Sequence, residues 1–283
     1  MILDRLYNPA HGELVYHYCR PEAFLEIIRN RSIWLSSSYS LNDTTERSWG
    51  YSMFINAAKT LQREIGDEFT KKILPPIMAS RLGSIIMIGC FSLDPELLSQ
   101  WRAYGDESRG FAIGFSMELM RVPAKPLRIM YNEGAQMNEI IGNLRHIYKV
   151  EKANGFKYSD EFGGHLFNLG LDLCAYKHPT FKEEKEIRLA HVCGIDLKSK
   201  KIVPTGARSP DGKRLSEPLK TQFRASRGVL VPYVNLDYCR DSTACPIKEI
   251  VLGPQNENSE LNVEVFLNTT GMSGIGVRRF IAP

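Results

Sequence analysis

The nine residues Ser84–Ser92, SIIMIGCFS, constrain the fold more than any other stretch. They are apolar without alternation and far too few to cross a bilayer, so they read as a strand covered on both faces. Such a strand needs layers on either side of its sheet. The sequence supplies them, with helical patterns at 22–30, 46–65, 66–81, 133–155, 159–176 and 258–268, and a short helix carrying Leu97, Leu98 and Trp101. Strand-like runs fall at 14–19, 33–37, 111–115, 127–131, 181–193, 229–234, 247–252 and 276–281. Pro75 and Pro76 are expected to bend or end the second long helix. With no repeat, low-complexity tract or linker, residues 1–283 are predicted to form a single α+β domain. Its sheet is expected to be mixed and mainly antiparallel, with several long inserted helices.

Composition narrows the class. A hydrophobic content of 43% and a charged content of 24% fit a folded core and not a disordered or fibrous chain. The apolar start is broken by Asp4, Arg5, His11 and Glu13, so no export signal is expected, and no run is long enough for a membrane helix. Six cysteines are scattered without a CxxC pair, which suits free thiols in the reducing cytoplasm. His17 with Cys19 and His191 with Cys193 are the nearest approach to metal-ligand spacing and match no known site, so no metal is predicted.

Charge is uneven. The formal net charge is +4, but the segment 198–227 holds Lys198, Lys200, Lys201, Arg208, Lys213, Arg214, Lys220, Arg224 and Arg227 against Asp211 and Glu217. Its prolines and glycines read as a long loop. A basic loop of this kind can grip phosphates, of a dinucleotide or of nucleic acid, or simply be solvated.

Four other segments carry candidate chemistry. In Tyr16-His17-Tyr18, His17 points away from both tyrosines; it suits a ribose hydroxyl or proton transfer, or a core histidine satisfied by a carbonyl. The segment WLSSSYSLNDTTE supplies Ser36, Ser38 and Tyr39 as hydroxyl donors and acceptors, while Asp43 and Glu46 have the spacing of a helix-capping pair. Trp101 and Tyr104 stand three apart on a helix, as a wall for a flat ring or as an internal staple. In KHPTFKEEKEIR, Glu184, Glu186 and Arg188 are expected on one strand face. If that face is partly buried, one carboxylate should have a raised pKa while Arg188 compensates the other; on a solvated face they would form ordinary ion pairs. No glycine-rich phosphate loop, GxSxG or HExxH is present.

Together the YHY strand, WLSSSYSLND, CFS followed by W-x-x-YG-x-x-x-x-GFAIGF, KH-x-x-F-x-x-E-x-E-x-R and RGVLVPY resemble a bacterial domain-of-unknown-function family, number twenty-nine seventy-one, across most of residues 14–253. The pattern is also similar, more weakly, to ADP-ribosyltransferases, which place a His or Arg on the first strand, a Ser or Tyr on the second and a Glu on a later one. That second resemblance implies NAD as substrate. Glu186 would face the ribose, Glu184 the acceptor and His17 the adenosine ribose. Ser36, Ser38 or Tyr39 would hold the nicotinamide, Trp101 or Tyr104 would stack on a ring, and Arg188 would sit beside them. The alternatives from the residues themselves are a nucleic-acid-binding or nucleic-acid-acting defence protein using segment 198–227, and a non-catalytic sensor in which the carboxylates are structural.

Overall fold

The computed structural model describes residues 5–40, 44–120, 122–206, 216–226, 228–239 and 244–282, with backbone alone for 44–47. Its elements run β1 (Leu14–Cys19), α1 (Pro21–Asn30), β2 (Ser32–Ser37), α2 (Thr44–Ile65), α3 (Asp67–Gly83), β3 (Ser84–Ser92), α4 (Leu98–Tyr104) and β4 (Phe111–Ser116). They continue with β5 (Lys125–Arg128), α5 (Glu133–Ala153), α6 (Asp160–Asp172), β6 (Glu186–Asp196), β7 (Lys201–Val203), β8 (Thr221–Ser226), β9 (Val229–Asp237), β10 (Ile247–Leu252), α7 (Glu260–Thr269) and β11 (Gly276–Arg279). The strands join in the order β11-β10-β4-β1-β3-β2-β9-β8, with β6 on β3 and both β5 and β7 on β6. Only the β10–β11 pair is parallel among them. This is the mixed, mainly antiparallel α+β sheet that the sequence implies.

The apolar strand β3 is its centre. One edge pairs with β6 over its whole length, from Ser84↔Gly194 to Ser92↔Glu186. The other edge is shared end to end, with β1 paired at Tyr16↔Ser92 and β2 at Ser36↔Ile88 and Ser37↔Met87. Ile85, Met87 and Phe91 enter one core with Phe24, Ile27 and Ile28 of α1 and with Val263 and Leu267 of α7. Ile86 and Ile88 face the other way, toward the helices. Those helices have a separate core, in which Phe54 and Leu61 of α2, Ile73 and Ile77 of α3, Ile140 and Leu144 of α5, and Leu166 of α6 pack together. Both faces of β3 are therefore covered, which is why its sequence does not alternate.

Three local expectations need correction. Helix α3 does not end at Pro75 and Pro76, because its buried stripe of Phe69, Ile73, Ile77 and Ser80 packs against neighbouring helices and offsets the lost N–H bonds. Strand β6 begins at Glu186; Pro179–Glu184 is a 3-10 turn, closed by Lys185 in the left-handed region at φ 47°. Segment 198–227 is not simply a loop, since it contains β7 and β8, which add to opposite margins of the sheet. The capping pair of Asp43 with the Glu46 side chain, and Arg208, Lys213, Arg214 and Arg227, lie outside the described residues. Among the described residues no helix is long and apolar enough to cross a membrane, and no group of three or more His, Cys, Asp or Glu is placed to hold a metal ion.

Candidate functional site

The start of β6 carries a buried charge cluster. Arg188 reaches back along its own strand and donates from Nε to Glu186 Oε1 at 2.6 Å and from Nη2 to Oε2 at 2.9 Å, while its Nη1 bonds the Cys174 carbonyl at 2.9 Å. Residues two apart on a strand share a face, which is what lets one side chain fork onto the other. Lys177 Nζ donates to Glu186 Oε2 at 3.1 Å and also bonds Glu184, so one ammonium bridges the two carboxylates. Lys177 is set by Gln136 of α5, fully buried, whose amide donates to the carbonyls of Met130 and Lys177. Tyr131 accepts from the Glu186 backbone N–H at 2.9 Å.

Glu186 is the carboxylate that Arg188 compensates. Burial alone would push its carboxyl up, but Arg188 and Lys177 outweigh it and hold the pKa at about 2, so the side chain is ionised throughout the physiological range. Glu184 does not share the strand face, because it lies in the preceding turn; Lys177 brings it to the cluster instead. Nearby Tyr104 is raised to about 12 by burial and by the negative field of Glu184 and Glu186.

Next to the cluster, on the same face of the sheet, a cleft opens between β3, β6 and the helices. Ser84, Ile86, Ile88 and Arg188 form its floor; Ser38 and Tyr39, Tyr51 of α2, Ser80 and Arg81 of α3, and Leu171 of α6 are among its walls. It offers about 90 Å³ to water centres. That space is several times what one water needs, enough for a head group or a single ring.

Strand register decides which predicted residues meet. Directly paired residues share a face, and Glu186↔Ser92↔Tyr16 is such a row; it continues through Gly114 to Glu249. His17 is adjacent to Tyr16 and therefore belongs to the opposite face. Its ring lies against Phe91, with centroids 5.5 Å apart, its Nδ1 is 2.9 Å from the Cys90 carbonyl oxygen, and burial lowers its pKa. The grouping of His17 with Glu186 is thus corrected, and the reading of His17 as a histidine satisfied by a carbonyl describes its setting. Trp101 is also corrected as a ligand wall. It is 0% exposed, packed between Tyr18 and Phe280, with its indole N–H donated to the Pro95 carbonyl. Tyr104, its partner on α4, stays 39% exposed beside the cluster.

Ser38 and Tyr39 line the same cleft as Arg188. Ser36 shares the face through Ile88, but accepts a bond from Arg224 Nη2 at 3.1 Å. Along β3 it stands four residues from the Glu186 row, roughly 13 Å at the rise of a strand. Arg224 also lies over Trp34, so this member of the basic segment is tied to the sheet. Lys177, Ser92 and Arg81 were not singled out as site residues. Lys177 opens the KHPTFKEEKEIR motif, and a lysine shortly before an E-x-E is a usable signal; nothing local in the sequence marks Arg81.

These features define an α+β protein with a split-edged central strand, a buried ion cluster and an adjoining cleft. Residues 100–189, from α4 to the Glu186–Arg188 start of β6, match the family model described as Protein of unknown function (DUF2971). No curated protein and no solved structure matches it.

Proposed function

We propose that the chain binds a small molecule in the cleft between sheet and helices, with the Glu186–Arg188–Lys177 cluster as its rigid floor. The observation that carries this reading is the convergence of Ser38 and Tyr39 with Arg188 on one concave surface that mixes hydroxyls, guanidinium groups and aliphatic side chains. NAD is the ligand that the transferase resemblance suggests. The cleft would take its nicotinamide ring, with the rest of the dinucleotide outside the mouth. Calorimetric titration of wild type and Ser38→Trp with NAD and with nicotinamide tests this. Binding that Ser38→Trp abolishes, at an unchanged melting temperature, is expected; no binding, or binding indifferent to the substitution, rejects it.

Cleavage of that ligand is a second reading, favoured by Ser92, which pairs across the strands with the ionised Glu186 and donates its hydroxyl to the Glu184 carbonyl. In that step the bond between ribose C1′ and nicotinamide breaks, its electron pair leaves with nicotinamide, and water or an acceptor hydroxyl adds to C1′ and gives up its proton. A nearby carboxylate stabilises the positive charge that develops on the sugar. Glu184, with its side chain 15% exposed against 4% for Glu186, is the less buried of the two carboxylates. Nicotinamide release by wild type and its loss in a folded Glu184→Gln variant would support turnover, and no release from millimolar NAD would reject it.

Nucleic-acid binding through segment 198–227 is a separate proposal, supported by the exposure of Lys198, Lys200, Lys201 and Lys220. It requires an affinity that falls steeply with added salt.

A further inference from the structure

We infer that the cleft is selective for a small organic anion, a carboxylate or phosphate on an apolar body, with Arg81 as the recognising group. This rests on the cleft being a binding site but not on NAD as its ligand, whose cationic nicotinamide ring an anion-selective cleft would disfavour. Two guanidinium groups line it, and they differ in what they already hold. Arg188 is committed to Glu186 and to the Cys174 carbonyl, so its charge is neutralised within the floor. Arg81, in the last turn of α3, lies 5.1 Å over the Tyr51 ring and pairs with no carboxylate among the described residues. Stacking on an aromatic face leaves the edge of a guanidinium, where its N–H groups point, open to an acceptor.

The rest of the lining suits the same ligand. Ser80 and Ser84 spend their hydroxyl protons on the carbonyls of Ile77 and Ser80, so they add little donor capacity, while Ile77, Ile86, Ile88 and Leu171 give an apolar wall. Asp172 sits between two lining leucines, and its negative field, which reaches Cys174 and Tyr176, opposes an anion, so selectivity requires Arg81 to outweigh it. An anion bonded to Arg81 in such surroundings gains a charge-assisted hydrogen bond that a neutral isostere does not.

Matched pairs read this directly: benzoate against benzamide, and nicotinate against nicotinamide, titrated by ligand-observed NMR into wild type, Arg81→Gln and Arg81→Lys. The acids are expected to bind wild type about tenfold more tightly than the amides. Arg81→Gln should erase that preference and leave the amides unchanged, and Arg81→Lys, which keeps the charge, should retain part of it. Acids and amides binding equally, or a preference that survives Arg81→Gln, would overturn the anion inference while leaving the cleft as a site. No binding by either member of either pair would overturn both.

Discussion

Two carboxylates stand in one lateral row of the sheet, and each is held by a basic side chain and approached by a tyrosine, yet they are different objects. At one end Glu186 is 4% exposed, forked by Arg188, bridged by Lys177 and roofed by the turn that carries Glu184. At the other end Glu249, 23% exposed, accepts from Tyr16 Oη at 2.9 Å and from Arg278 Nε at 3.0 Å, and Arg278 also reaches out to Glu96 on the surface. Gly114 between them lets the Tyr16 ring cross, since a Cβ there would come within 3.0 Å of Tyr16 Cε1. The contrast teaches that residue type and pairing do not set the energetics of an ion pair. Desolvation does: the buried cluster has no water to fall back on when a partner is lost, and the open one has.

The largest effect should therefore come from Glu186→Gln. It leaves the Arg188 guanidinium and the Lys177 ammonium facing each other in a site with little access to solvent. A loss of about 3–5 kcal/mol is expected, the range for removing one partner of a buried pair. Urea unfolding gives it as a shift in midpoint at constant slope. A cost below about 1 kcal/mol would mean that water enters the cluster and that the comparison with Glu249 is empty.

Acid should produce the next largest effect. With a folded-state pKa of about 2 against an ordinary 4.5, Glu186 binds its proton more readily in the unfolded chain. Its contribution is thus fully present above about pH 4.5 and is lost as the pH falls toward 2, on the order of 3 kcal/mol in total. Melting temperature followed from pH 6 to 2 in wild type and Glu186→Gln isolates this part, because the variant should lose the corresponding share of the acid sensitivity. Parallel curves for the two proteins would show that the acid limb belongs to other carboxylates.

How much of this was legible in the sequence follows from what sets each feature. Period and length decide elements, so the helix face of α1 and the two-sided burial of β3 could be read directly, and so could the opposed directions of Tyr16 and His17 within β1. Lateral pairing is set by topology. Nothing in the chain before residue 92 says that β3 lies between β1 and β6, so the sequence offers Ser36, Ser38 or Tyr39 as the hydroxyl groups, whereas the register places Ser92 in the row with Glu186. The E-x-E motif misled for a local reason. Glu184 and Glu186 alternate in sequence, but Lys185 turns left-handed between them, and the resulting kink is held by the Lys177 bridge, a contact to a residue upstream of the 3-10 turn. The cleft was legible only as three separate polar fragments, because its Arg81 wall depends on α3 running unbroken through two prolines.

The smallest effect is expected at the open end of the row. Tyr16→Phe removes one hydrogen bond from a half-buried ring while Arg278 continues to hold Glu249, so the cost should be roughly 0.5–1.5 kcal/mol. Added salt should do little to that hydroxyl bond, but it should weaken the Arg278 pairs, whose partners at Glu249 and Glu96 sit where mobile ions can screen them. The decisive version of the comparison is thus a salt series, with urea midpoints of wild type, Tyr16→Phe and Arg278→Gln measured at low and high sodium chloride. Arg278→Gln should cost at most about 1 kcal/mol at low salt and approach wild type as salt rises. Should it instead match the cost of Glu186→Gln and ignore salt, the row would hold two buried clusters, and the tyrosine between them would be the link that couples its ends.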